Sequence, residues 1–122
     1  MQVVNFLRSQ GWPDARRYLA GDGRQPGDID WHPLITLEVK DVASSSWPTW
    51  CRQAAKEARP GMVPVVVRRV RGVPDVGAWP IRLPAGSAVD PGITFSSPDV
   101  DGVPWVESTM GELVAAVKAV DA

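Results

Sequence analysis

Two carboxylates and an amine stand out where the chain doubles back on itself. The segment Leu34-Ile35-Thr36-Leu37-Glu38-Val39-Lys40 is rich in apolar and β-branched residues and reads as a strand. Alternation sends Ile35, Leu37 and Val39 to one face and Thr36, Glu38 and Lys40 to the other. The segment before it, Asp28 to Trp31, is set off by His32-Pro33, and the two together read as a hairpin. With a three-residue loop, His32 to Leu34, Trp31 pairs with Ile35 and Asp28 falls opposite Glu38. Directly opposed side chains on one face lie about 4.5–5.5 Å apart at Cβ. Two carboxylates that close repel unless a proton or a cation sits between them. A divalent ion is the natural occupant, and oxygen-only ligands favour Mg²⁺ or Mn²⁺ over zinc. Asp30 shares the face of Asp28, and a slip of register would make it the ligand instead. The plain alternative is a surface hairpin with an ordinary Glu–Lys pair, worth about 0–1 kcal/mol.

Other elements must hold this hairpin in place. Val3, Val4, Phe6 and Leu7, then Ala15, Tyr18 and Leu19, fit an amphipathic N-terminal helix interrupted near Gly11-Trp12-Pro13, with Asp14 as a restarting cap. Gly21 to Gly27 is a loop by composition. Ser44-Ser45-Ser46 supplies caps for a helix from about Trp47 to Ala58, with Pro48 in its first turn and Pro60-Gly61 after its end. Met62 to Val70 reads as a buried strand. Ala78 to Leu83 reads as another, placed at a sheet edge by Pro80. Six prolines between Pro74 and Pro104 predict an extended or irregular stretch. Thr109 to Glu112 is a capping box, followed by Leu113, Val114, Val117 and Val120 at helical spacing, so a C-terminal helix is expected to pack on the sheet.

Composition narrows the chemistry. The chain of 122 residues allows one domain with one core. With 44% hydrophobic and 22% charged residues it is unlike disordered, collagenous or coiled-coil chains. No apolar run approaches the roughly 20 residues of a bilayer span. The opening MQVVNFLRSQGW lacks a basic leader before an apolar stretch, so no secretory signal and a cytoplasmic location are expected. Cys51 is the only cysteine and His32 the only histidine, which disfavours thiolate clusters, histidine-based zinc sites and a Ser-His-Asp triad. Cys51 is read as a small core residue. The six tryptophans are read as core or interface anchors, with Trp47 and Trp31 near enough to the hairpin to stack on a splayed base.

The net charge of −1 conceals an asymmetry. Residues 1–82 carry 12 Lys/Arg against 8 Asp/Glu, and residues 83–122 carry 1 against 6. The basic groups cluster as Arg16-Arg17, Arg52/Lys56/Arg59 and Arg68-Arg69-Arg71. Clusters of this kind bind phosphates even in a protein that is acidic overall.

The ordered set of an N-terminal helix, Gly27-Asp28-Ile29, the triplet Glu38-Val39-Lys40, a helix bearing Gln53 and then a β-branched strand resembles the PD-(D/E)XK nuclease superfamily. Within it the set is most similar to small Holliday junction resolvases of phage and archaeal type. The resemblance spans about residues 3–83. It implies a single α/β domain over 1–122, with a restriction-endonuclease-like core in which helices flank a central mixed sheet. An irregular Pro-rich segment and a C-terminal helix, residues 84–122, would follow that core. It implies metal-dependent hydrolysis of phosphodiesters in branched DNA, as in recombination and repair. Asp28 and Glu38 would hold Mg²⁺, with Mn²⁺ able to substitute and the Val39 carbonyl as a further ligand. Lys40 would serve the reacting phosphate and water, and Gln53 would support that water. Arg16, Arg17, Arg52 and Lys56 would contact DNA phosphates. The family commonly places an acidic residue on the first helix, where this chain reads Ala15-Arg16-Arg17, so that helix is left out of the catalytic set. Paired cuts across a four-way junction imply a two-fold homodimer. The alternatives are a nicking or exonucleolytic enzyme on linear DNA, and a non-catalytic DNA-binding accessory protein.

Overall fold

The valine run between Pro64 and Arg68 forms the middle of the molecule. The computed structural model describes residues 2–18, 27–42, 46–92 and 94–122. In it this run belongs to β4 (Val63–Arg68), which lies parallel to β3 (Ile35–Lys40), Ile35 beside Val63 and Lys40 beside Arg68. Val65, Val66 and Val67 are all fully buried, as expected of a strand covered on both faces. Parallel neighbours need a crossover, and α2 (Trp47–Glu57) supplies it. On one side of this pair lie β2 (Ile29–Asp30) and then β1 (Arg16–Arg17). On the other lie β5 (Pro80–Pro84), β7 (Val103–Thr109) and, outermost, β6 (Phe95–Val100). The described residues thus form an α/β protein with a seven-stranded mixed sheet in the order β1-β2-β3-β4-β5-β7-β6.

Alternation sorts the two faces. Ile35, Leu37, Val65, Val67, Ile81 and Leu83 face one side. They pack with Val3, Val4 and Leu7 of α1 (Gln2–Ser9) and with Leu113, Val114 and Val117 of α3 (Met110–Asp121). On the opposite face α2 lays Trp47, Trp50, Cys51 and Ala54 over Val66, Val100 and Trp105. The Thr109 hydroxyl accepts the Glu112 N–H at 3.3 Å and starts α3 as the capping box predicts, although Val120 stays exposed. Ser46 occupies the N-cap of α2 without a side-chain capping bond, and Ser44 and Ser45 lie outside the described residues. Among the described residues, no helix is long and apolar enough to cross a membrane.

Three expectations are corrected. The N-terminal helix does not resume after Pro13. Gly11 turns the chain at φ +115°, and Arg16 and Arg17 pair with Asp30 and Ile29 as an outer strand. Ala15 is still buried, while Leu19 and most of the glycine-rich loop lie outside the described residues. Nor is β5 an edge. It runs between β4 and β7, with Pro80 and Pro84 at its two ends, where a missing N–H breaks the fewest ladder bonds. The Pro-rich stretch likewise is not irregular throughout, because β6 and β7 form a hairpin that extends the sheet. Pro98 sits in the outermost strand at a break in register between Ser97 and Val100.

The approach of β2 to β3 depends on Gly27. Its φ of +76° lies in the left-handed region, and a Cβ there would stand 2.7 Å from the Leu37 carbonyl oxygen. The next residue, Asp28, donates its N–H to that same oxygen at 2.8 Å. Gly27→Ala combines a left-handed cost of about 1–2 kcal/mol with displacement of backbone. It is expected to lower the stability by about 2 kcal/mol or more, measured by denaturant unfolding. An unchanged midpoint would show that the backbones are not held in this contact.

Candidate active site

Antiparallel pairing of Ile29 with Leu37 is the register expected from a three-residue connection, and it sets Asp28 beside Glu38. One Asp28 carboxylate oxygen accepts the Val39 N–H at 2.8 Å, so the side chain is folded against the strand that carries Glu38. Glu38 itself is only 4% exposed, which removes the surface ion-pair reading. Its Oε1 is buried without a hydrogen-bond partner among the described residues.

A third carboxyl joins these two. Glu57, the last residue of α2 and itself exposed, stands near enough to Glu38 to help raise its carboxyl. Gln53, one turn earlier, donates to Glu57 Oε1 at 3.4 Å. Gln53 therefore reaches the site through Glu57. Glu57 carries no motif of its own; its i+4 relation to Gln53 on the expected helix is the one local sign of it. Burial, the Glu57 hydrogen bond and the charges of Asp28 and Glu57 together push the Glu38 carboxyl up to about 9. At neutral pH and without a cation, Glu38 is protonated. The C-terminal end of α2, where Glu57 sits, adds the negative pole of the helix dipole to the same place.

Lys40 follows Glu38 on the same face, half-buried, its amine making no hydrogen bond or ion pair to a described residue. The Val39 carbonyl points toward the β2 side. Leu37 O accepts from Asp28 on that side and Lys40 O accepts from Arg69 on the β4 side, and carbonyls alternate along a strand. Asp28, Glu38 and this carbonyl thus lie on adjoining positions, and Glu38 Oε1 lacks a donor, a place that a hard cation would fill. The donor set fits Mg²⁺ or Mn²⁺. Among the described residues, no three His, Cys, Asp or Glu side chains are spaced to ligate one ion together, so an ion would rest on the Asp28/Glu38 pair completed by backbone and water.

The remaining candidates are dispersed. Arg16 reaches Asp30 at 3.2 Å, which occupies the carboxylate that a slipped register would have used. Arg52 is held in two hydrogen bonds, 2.8 and 3.1 Å, by Asp101 in the β6–β7 turn. Lys56 is exposed on α2, and Arg17 lines a depression with Asp41 and Arg69 at the far end of β3. Cys51 is buried and its thiol is pushed up to about 11 by burial, while His32 Nε2 lies 2.9 Å from Asp121. No family model, no curated protein and no solved structure matches this chain.

The protonated Glu38 gives a pH test. In the unfolded chain its carboxyl ionises near 4.5, and in the folded protein near 9. The folded state holds the extra proton between these values, so this group's contribution is complete below about pH 4.5 and is lost as pH rises through about 9. In EDTA, wild-type Tm relative to Glu38→Gln is expected to fall steadily from pH 5 to pH 9, with the variant the more stable at the alkaline end. A difference that stays constant across that range would mean Glu38 is ionised in the folded protein.

Proposed function

We propose that this chain is a divalent-metal-dependent endonuclease that hydrolyses DNA phosphodiesters, with four-way junctions as its substrate and a two-fold dimer as its working form. The observation that carries the reading is the Asp28/Glu38 pair, sealed from water on the Glu38 side with Oε1 unsatisfied. A purely structural hairpin has no use for a buried carboxyl beside two others, because its ionised form is costly to take out of water.

Each residue has a task that its position supports. Asp28 and Glu38 would hold the ion with the Val39 carbonyl, Glu38 releasing its proton as the ion binds. When bound, the ion would lower the pKa of water and neutralise charge developing on the phosphate. Lys40, free of protein partners among the described residues, would place a fixed positive charge on the same phosphate. Glu57, which Gln53 contacts along α2, would keep its negative charge beside the pair, and the proton that Glu38 gives up would pass to solvent. The preference for junctions rests on the resemblance to resolvases, and paired incision requires two copies of the site.

Purified protein incubated with a labelled four-way junction and with linear duplex, in Mg²⁺, Mn²⁺ or EDTA, tests this. Metal-dependent symmetric nicks in the junction are expected, reduced about 10²–10³-fold or more in Glu38→Gln and Lys40→Ala. Equal cutting of linear duplex would replace the junction assignment with a general nuclease. Binding without cleavage in either metal would remove the enzyme reading, and a strict monomer in sedimentation would remove paired resolution.

A further inference from the structure

The parallel pair β3/β4 ends in an unbalanced patch of positive charge. Beyond Lys40 the chain continues Asp41-Val42, and beside it β4 ends at Arg68 and continues Arg69-Val70-Arg71. Val42, Arg68, Arg69, Val70 and Arg71 line a concavity of about 280 Å³. Arg69 also borders the neighbouring depression that contains Arg17 and Asp41. In open α/β sheets, crevices outside the carboxyl ends of parallel strands are where ligands settle.

The charges there do not cancel. Asp41 is the one carboxylate lining these concavities, and it is shared by Arg69 at 2.8 Å and Arg71 at 3.5 Å. One carboxylate shared between two guanidinium groups offsets a single positive charge. Arg68 is left over. Its Nε is buried and has no hydrogen-bond partner among the described residues. A desolvated cationic donor without an acceptor is costly, and an anionic oxygen is the group that relieves it. Register places Arg68 directly beside Lys40 on the same face, one strand spacing of about 4.8 Å away.

We infer that the rim formed by Arg68, Arg69 and Arg71 is a phosphate-binding site. The DNA backbone would leave the Asp28/Glu38/Lys40 centre across the carboxyl ends of β3 and β4, and not along α2. This rests on the nuclease reading for what occupies the centre. Along α2, Arg52 has the Asp101 carboxylate to itself, whereas Arg69 and Arg71 share one and Arg68 Nε has none. The rim contacts phosphates only, so it adds affinity and register without sequence preference.

The salt dependence of binding reads this directly. Binding of the full-length protein to a labelled junction and a labelled duplex is measured in EDTA across about 50–300 mM salt, because each phosphate contact adds about 0.9 to the slope of log K against log salt. Arg68→Gln and Arg71→Gln are each expected to flatten the slope by about 0.9 and the double variant by about twice that. Lys118→Gln, which removes a charge from α3 on the opposite face, should leave it unchanged. Because Arg71 is exposed, its substitution leaves packing intact and carries the test should Arg68→Gln fail to fold. A slope unaltered in Arg71→Gln, or one that flattens in Arg52→Gln instead, overturns the path. Should the wild type cut DNA while its slope ignores Arg68 and Arg71, the path falls and the nuclease reading stands. Should the slope flatten in these variants with no metal-dependent cutting, the rim stands and the nuclease reading falls. A wild type that binds no DNA removes both.

Discussion

A carboxyl group buried beside other carboxyls cannot carry its charge unaided, and in this chain that constraint sits on β3, beside the central strand of the sheet. Glu38 is flanked by Asp28 from the neighbouring strand and by Glu57 from the crossover helix, and each raises the cost of ionising it. The hairpin register, the close approach at Gly27 and the length of α2 all serve to keep these groups together. The unliganded protein answers the constraint with a proton. A hard cation is the other answer, and it is the one that would convert a structural liability into a reactive centre.

The two faces of the sheet divide the work. One is sealed by α1 and α3 over a continuous apolar layer and supplies most of the hydrophobic burial. The other, under α2, is mixed. Tryptophans and Val66 pack near the helix start, Arg82 stacks 4.5 Å from the Trp47 ring and pairs with Glu107 at 3.1 Å, and the acidic cluster occupies the helix end. Polar groups are tolerated on this face because the apolar layer behind it does not depend on them. The arginine rim lies at the carboxyl ends of β3 and β4, where Arg68 stands beside Lys40.

Much of this was legible in residue order. Alternation along Ile35 to Lys40 assigned the buried and the chemical faces, the β-branched run named β4, and the capping box placed the start of α3. The hairpin register followed from a short loop, because such a loop leaves few ways to pair. Local rules failed where pairing partners were distant in sequence. Arg16 and Arg17 look helical beside Ala15 and Tyr18, but the exposed edge of β2 offers them ladder bonds. Prolines suggested disorder of pattern between β5 and β7, yet their positions at strand ends and at a bulge leave the ladder intact. Arg52 looked free for phosphate until the β6–β7 turn brought Asp101 to it across 49 positions.

By itself, then, the order of residues determined which side chains had to share a face, since strand and helix periods are properties of the local backbone. It therefore offered Asp28, or Asp30 after a slip of register, as the partner of Glu38, and it placed Gln53 and Glu57 along one line of α2; the observed pairing of Ile29 with Leu37 chose Asp28. Only the tertiary structure decided that Glu57 stands near Glu38, that Arg52 is already paired, and that Arg68 stands beside Lys40 with an unsatisfied donor. Those outcomes depend on how α2 crosses the sheet and on where β6 and β7 come to rest, and long-range packing sets both.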